Sequence, residues 1–180
     1  MNTHIYMLQT MRRLLAVTGL MMALLFAAGP AAAEYIYRGL LIDGQGALDL
    51  RTNRFQFNPA LSFNKDLNQI AAAPSNFRCA LRMNTTAPIP NVGDSSPLAG
   101  FAIFTATFDQ NPPLLPIGHV SVQPSPGVPV ANPAQEFAND LRAEAIDNPE
   151  RFNDRYIVGV PGRDSDDDCR DRPKSFNSFN

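Results

Sequence analysis

The sequence predicts an α+β domain: a small, mostly antiparallel sheet of about six short strands, one amphipathic helix (Pro133–Asp147) packed on it, and one disulfide. Three observations predict it. Short β-branched and aromatic runs of alternating polarity recur along the chain and end at Gly, Pro or Asx turns. A single stretch carries a clear apolar stripe at helical spacing. The cysteine count is even, at two, while 16 Pro break up any longer element.

Met1–Ala33 has the form of a secretory signal peptide. Arg12 and Arg13 supply positive charge, and Leu14–Ala28 is an apolar run. Gly29-Pro30 breaks that run, and Ala31-Ala32-Ala33 offers an A-x-A cleavage site. The run is shorter than the roughly 20 residues of a spanning helix, so cleavage is expected to leave no membrane anchor. The expected location is the periplasm or the extracellular space. The rest of the chain reads as one domain over 34–163 and a polar tail over 164–180 tethered by Cys169. The formal charge is −2, and losing Arg12 and Arg13 with the leader makes the mature chain more acidic. Such a balance gives no electrostatic footprint for nucleic acid. A hydrophobic content of 44% excludes a wholly disordered chain.

Tyr35–Ile42 is the first expected strand, ended by Asp43-Gly44. Phe55 and Phe57 alternate with Gln56, which predicts a second over Arg54–Phe57. Asn64–Ala73 reads as a short helix capped by Asn64 and stopped by Pro74. Phe77–Met83 is a half-buried strand with Cys79 on its inner face. Thr85–Pro97, rich in Pro, reads as loop and exposes an Asn84-Thr85-Thr86 glycosylation acceptor. Ala99–Phe108 is apolar on both faces, as expected of a central strand, and Ile117–Val122 is another short strand. In the helix over Pro133–Asp147, Asn132 caps and Pro133 opens the first turn. Ala134, Phe137, Ala138, Leu141 and Ala145 form its stripe. Asn148-Pro149 starts a second helix over Glu150–Asp154, Tyr156–Val160 is the last strand, and the chain beyond Pro161 reads as irregular.

Cys79 and Cys169 are expected to pair, because an exported chain favours a disulfide and neither has a second Cys or His at metal-ligand spacing. His119 is the sole histidine beyond the leader, so any histidine chemistry runs through it. Ser121 shares its strand face; His119 is a candidate general base or donor to a substrate carbonyl, and Arg38 and Ser121 are further catalytic candidates. No G-x-S-x-G elbow accompanies them. Asp164, Asp166 and Asp168 alternate like the opening of a calcium loop. In that loop, however, Cys169 replaces the turn glycine, and arginines interleave the acids. No other cofactor is expected.

Arg38 stands within Tyr37-Arg38-Gly39 in the first strand. This opening resembles that of secreted ADP-ribosyltransferase toxins of the cholera and pertussis type. The resemblance implies that Arg38 orients a dinucleotide, since a guanidinium forks onto phosphate. The Ser-Thr-Ser strand and Glu-x-Glu pair of that family have no counterpart here. The expected function is an exported, non-catalytic binding or structural module of the cell envelope or extracellular space, engaging another protein. The alternative is a small secreted enzyme or toxin-like effector, with Arg38 and His119 lining one cleft.

Overall fold

The computed structural model describes residues 33–110 and 114–176. The leader expected over Met1–Ala33 lies outside them, apart from Ala33. In chain order the elements are β1 (Tyr35–Leu40), β2 (Leu48–Asp49), a 3-10 turn (Thr52–Arg54), β3 (Leu61–Asn64), α1 (Leu67–Ala72) and β4 (Cys79–Asn84). There follow β5 (Ser95–Leu98), β6 (Phe101–Phe108), β7 (His119–Pro124), α2 (Pro133–Asp147) and α3 (Pro149–Tyr156). The chain then runs through β8 (Ile157–Gly159), α4 (Asp166–Asp171) and β9 (Lys174–Ser175). Seven strands form one sheet in the order β5-β6-β7-β3-β1-β4-β8. Each of its pairings is antiparallel, so the fold is the expected α+β class. β2 and β9 form a separate parallel pair.

The sheet has an unequal cover on its two faces. One face carries the main core, where α2 contributes Phe137, Ala138 and Leu141. Phe137 is its hub, with ring centroids 5.2 Å from Phe55 and 5.3 Å from both Phe101 and Phe104. The other face holds a smaller cluster in which Leu67, Ile70 and Ala71 of α1, with Phe77, pack on Ala80, Val158 and Val160. The helix boundaries of α2 match the sequence reading, with the Asn132 side chain accepting from the Gln135 amide.

Several expectations are corrected. Arg54–Phe57 is no strand: Phe55 and Phe57 alternate because both reach the Phe137 cluster from a loop. β3 forms four residues beyond it. Asn64 does not cap α1; Asp66 does, accepting from the Asn68 amide. Asn64 ends β3 instead, donating to the Ile117 carbonyl and accepting from the Asp66 amide. Within the Pro-rich stretch taken as loop lies β5, an edge strand that carries Pro97, as edge strands can. β6 consequently lies one strand from the edge, and its face opposite Phe104, Ala106 and Phe108 is only half covered. The Asn84-Thr85-Thr86 acceptor ends β4, with Thr85 buried.

The polar segment after Pro161 is structured. Ser165 and Asp168 form a capping box at the start of α4, and β9 runs beside β2. Cys169 of α4 is bonded to Cys79 of β4, both fully buried. Gly159 permits this docking: a Cβ there would stand 2.1 Å from the Asp164 carbonyl oxygen.

Candidate functional site

The sheet is imperfectly closed at its middle. β1 pairs with β4 over its whole length, yet meets β3 at one residue pair, Tyr37↔Asn64. Continuing that register would set Gly39 opposite Ser62. The strands part instead, and the Arg38 side chain spans the opening. Its Nη1 donates to the Ser62 carbonyl at 2.7 Å and its Nη2 to the Arg54 carbonyl at 3.0 Å.

A cavity of about 520 Å³ occupies this opening, lined by Arg38, Phe55, Phe63, Ile70, Phe77 and His119 among others. Such a volume is that of a small-molecule site. Arg38 and His119 thus line one cavity, and they reach it from opposite faces of the sheet. Arg38 lies between Ile36 and Leu40 on the main-core side of β1. His119 lies opposite Asn64 and next to buried Val120, on the α1 side. Gly39 gives the cavity wall its shape: a Cβ there would stand 2.2 Å from the Phe77 ring.

The charges around the cavity are unevenly matched. Asp49, whose side chain is 1% exposed, receives Arg51 through Nε and Nη2, each at 2.7 Å, and Arg54 Nε at 2.6 Å. The Arg51 hydrogen bonds, with those of Arg54, outweigh burial and hold the Asp49 carboxyl far below the usual carboxylate range. Arg38 has no carboxylate partner among the described residues; its two hydrogen bonds go to neutral carbonyls. Burial alone pulls its guanidinium down to about 10, so it stays protonated at neutral pH.

His119 and Ser121 do not form a nucleophile–base pair. Each is bonded to Asp109, which follows β6: His119 Nδ1 lies 2.7 Å from one carboxylate oxygen and Ser121 Oγ donates to the other. With the carboxylate between them, the imidazole is not placed to take the serine proton, as activation requires. Ser121 is directed away to Asp109, while His119, 6% exposed, keeps one ring edge toward the cavity.

The three aspartates of the calcium pattern face different partners. Asp164 lies between Arg78 Nε and Arg172 Nη2, both at 2.8 Å. Burial pushes its carboxyl up, but the hydrogen bonds from Arg172 and Arg78 outweigh it and leave it below the usual value. Asp166 accepts from the Gly159 amide, and Asp168 accepts from Ser165 in the capping box. Asp166 and Asp168 lie in the first turn of α4, and Asp164 precedes its cap. Asp164 also groups with the two cysteine sulfurs, but these are joined in the disulfide and offer no thiolate.

Phe55, Phe63, Ile70 and Phe77 went unrecognised as site residues. Nothing in the sequence separates a cavity wall from an ordinary core side chain. The Asp49, Arg51 and Arg54 spacing was the one available signal. No protein-family model matches this chain, and neither does any curated protein or solved structure.

Proposed function

We propose that this protein is an exported, non-catalytic binding module whose working site is the cavity between β1, β3 and α1. The observation that carries the reading is Arg38: a half-buried cation, without a carboxylate partner among the described residues, in the wall of a mostly apolar cavity. A cation held that way is unfavourable unless an anion completes it. The captured partner is a small molecule rather than another protein, because the opening is concave and of ligand size.

Export is supported by the buried disulfide, which persists in oxidising compartments. It is supported also by the anchoring of Glu34, the residue after the A-x-A site. The Glu34 amide donates to Thr85 Oγ1, and its carboxylate meets Lys65 Nζ at 2.8 Å and the Ile89 amide at 2.9 Å. Cleavage after Ala33 therefore leaves these contacts intact. Among the described residues no helix is long and apolar enough to cross a membrane. Against an enzyme stands the Asp109 bridge, which separates His119 from Ser121.

The test is uptake of a neutral, polarity-sensitive dye such as 1-aminoanthracene by the protein expressed from the full chain. Saturable binding at one site, reduced by filling the cavity with Ile70→Trp, is expected. Non-saturating uptake, or uptake unaffected by Ile70→Trp in a folded variant, overturns the reading.

A further inference from the structure

The chemistry of the cavity also limits what it takes. Its walls are apolar: Leu40, Phe55, Phe63, Ile70 and Phe77 face it from both sides of the sheet. Polar side chains also line it, among them Arg38, Asp49, Arg54, Asn64, Gln69 and His119. A guanidinium carries five N–H donors. Arg38 spends one on Ser62 and one on Arg54, which leaves three free for a guest. The neighbouring arginines do not compete for that guest equally. Arg51 and Arg54 are bound to Asp49 and about two-fifths exposed, so water meets the rest of their charge.

One guanidinium whose hydrogen bonds go only to neutral carbonyls matches one negative charge. A phosphate dianion would bring a second negative charge into a lining that already holds Asp49, whose own carboxylate occupies Arg54. A neutral apolar guest would leave the Arg38 donors unsatisfied. A carboxylate fits both limits, since it accepts from a guanidinium in a fork and carries a single charge. We propose that the cavity holds an amphipathic monocarboxylate, with its carboxylate on the free N–H groups of Arg38 and its apolar body between Phe55, Phe63, Ile70 and Phe77. His119 lines the same space. Its Nδ1 is held by Asp109, which fixes the ring and leaves Nε2 as the edge available to the guest. This inference rests on the binding reading above and names the ligand class of that same site.

The experiment compares decanoate with decanol, which share a chain and differ in the head group, on the protein and on its Arg38→Gln variant. Binding is read by calorimetry and by dye displacement. Decanoate is expected to bind about 10- to 100-fold more tightly than decanol, the range of a charge-assisted hydrogen bond. Arg38→Gln is expected to remove that preference, bringing the decanoate-to-decanol ratio close to one. Equal affinity for both in the unaltered protein overturns the carboxylate assignment while leaving the cavity as a binding site. Binding of neither, with no dye uptake, overturns the binding reading itself. If Arg38→Gln does not fold, the decanoate-to-decanol ratio on the unaltered protein decides alone.

Discussion

Removing the Cys79–Cys169 bridge is the sharpest perturbation of this fold. The bond joins residues 90 apart in sequence, and both cysteines are fully buried in the main core. On the chain-entropy account, opening a loop of that length destabilises the domain by about 4.6 kcal/mol. A domain of this size has a total stability of about 5–15 kcal/mol, so the loss is between a third and nearly all of it. The contacts that dock the C-terminal segment do not depend on the bridge. The Gly159 amide still donates to Asp166 at 2.7 Å, and the Leu48 and Leu50 amides still bond the Pro173 and Ser175 carbonyls.

The effect should therefore act mainly through the unfolded chain, with one cooperative transition retained. With a urea dependence near 2 kcal/mol/M, the midpoint of a Cys79→Ala, Cys169→Ala variant falls by about 2 M at unchanged slope. Urea unfolding followed by far-ultraviolet circular dichroism reads both quantities. A shift below about 0.5 M would refute the loop-closure reasoning, since it corresponds to only about 1 kcal/mol. A separate early transition confined to residues 164–176, seen by amide hydrogen exchange, would refute the claim that α4 and β9 are independently docked.

Two further outcomes follow from single residues. Gly39→Ala places a methyl against the Phe77 ring and should displace that ring, with a stability loss of about 1–3 kcal/mol and weaker dye uptake; unchanged melting and uptake would contradict the placement of Phe77. Asp49 and Asp164 are both held below the usual carboxylate value, so each stabilises the fold fully above about pH 4, the unfolded value, and loses that contribution as pH falls through its folded value. Thermal melts from pH 7 down to pH 2 should accordingly show steep destabilisation below about pH 4, and Asp49→Asn or Asp164→Asn should flatten it. Asp164→Asn should also destabilise the protein at pH 7 by about 3 kcal/mol, the low end for a broken buried pair, because Arg78 is half exposed and can be rehydrated.

Local chemistry explains which parts of the fold were legible in the sequence. The α2 helix was, because Asn132, Pro133 and a stripe of apolar residues act within a few residues of one another. The disulfide was, because two cysteines leave only one possible pairing. β5 was hidden because Pro97 is read as a strand breaker until its edge position is known. β2 and β9 are two residues each and find one another across more than half the chain, so no local signal marks them. Phe55 and Phe57 show how alternation misleads when two loop aromatics converge on one helical hub. Arg38 and His119 were both singled out, and one cleft for the two was raised by the enzyme alternative, but the sequence alone could not decide it. That depends on β1 and β3 parting after a single residue pair, a property of the tertiary register.

The most direct test of the account is a crystal structure of the protein with decanoate. It predicts the carboxylate within about 2.7–2.9 Å of free Arg38 nitrogens, the distance of a charge-assisted hydrogen bond. The alkyl chain should run between Phe55, Ile70 and Phe77, beneath α1. Decanoate bound elsewhere, or seated in the cavity with its head group turned away from Arg38, would contradict it.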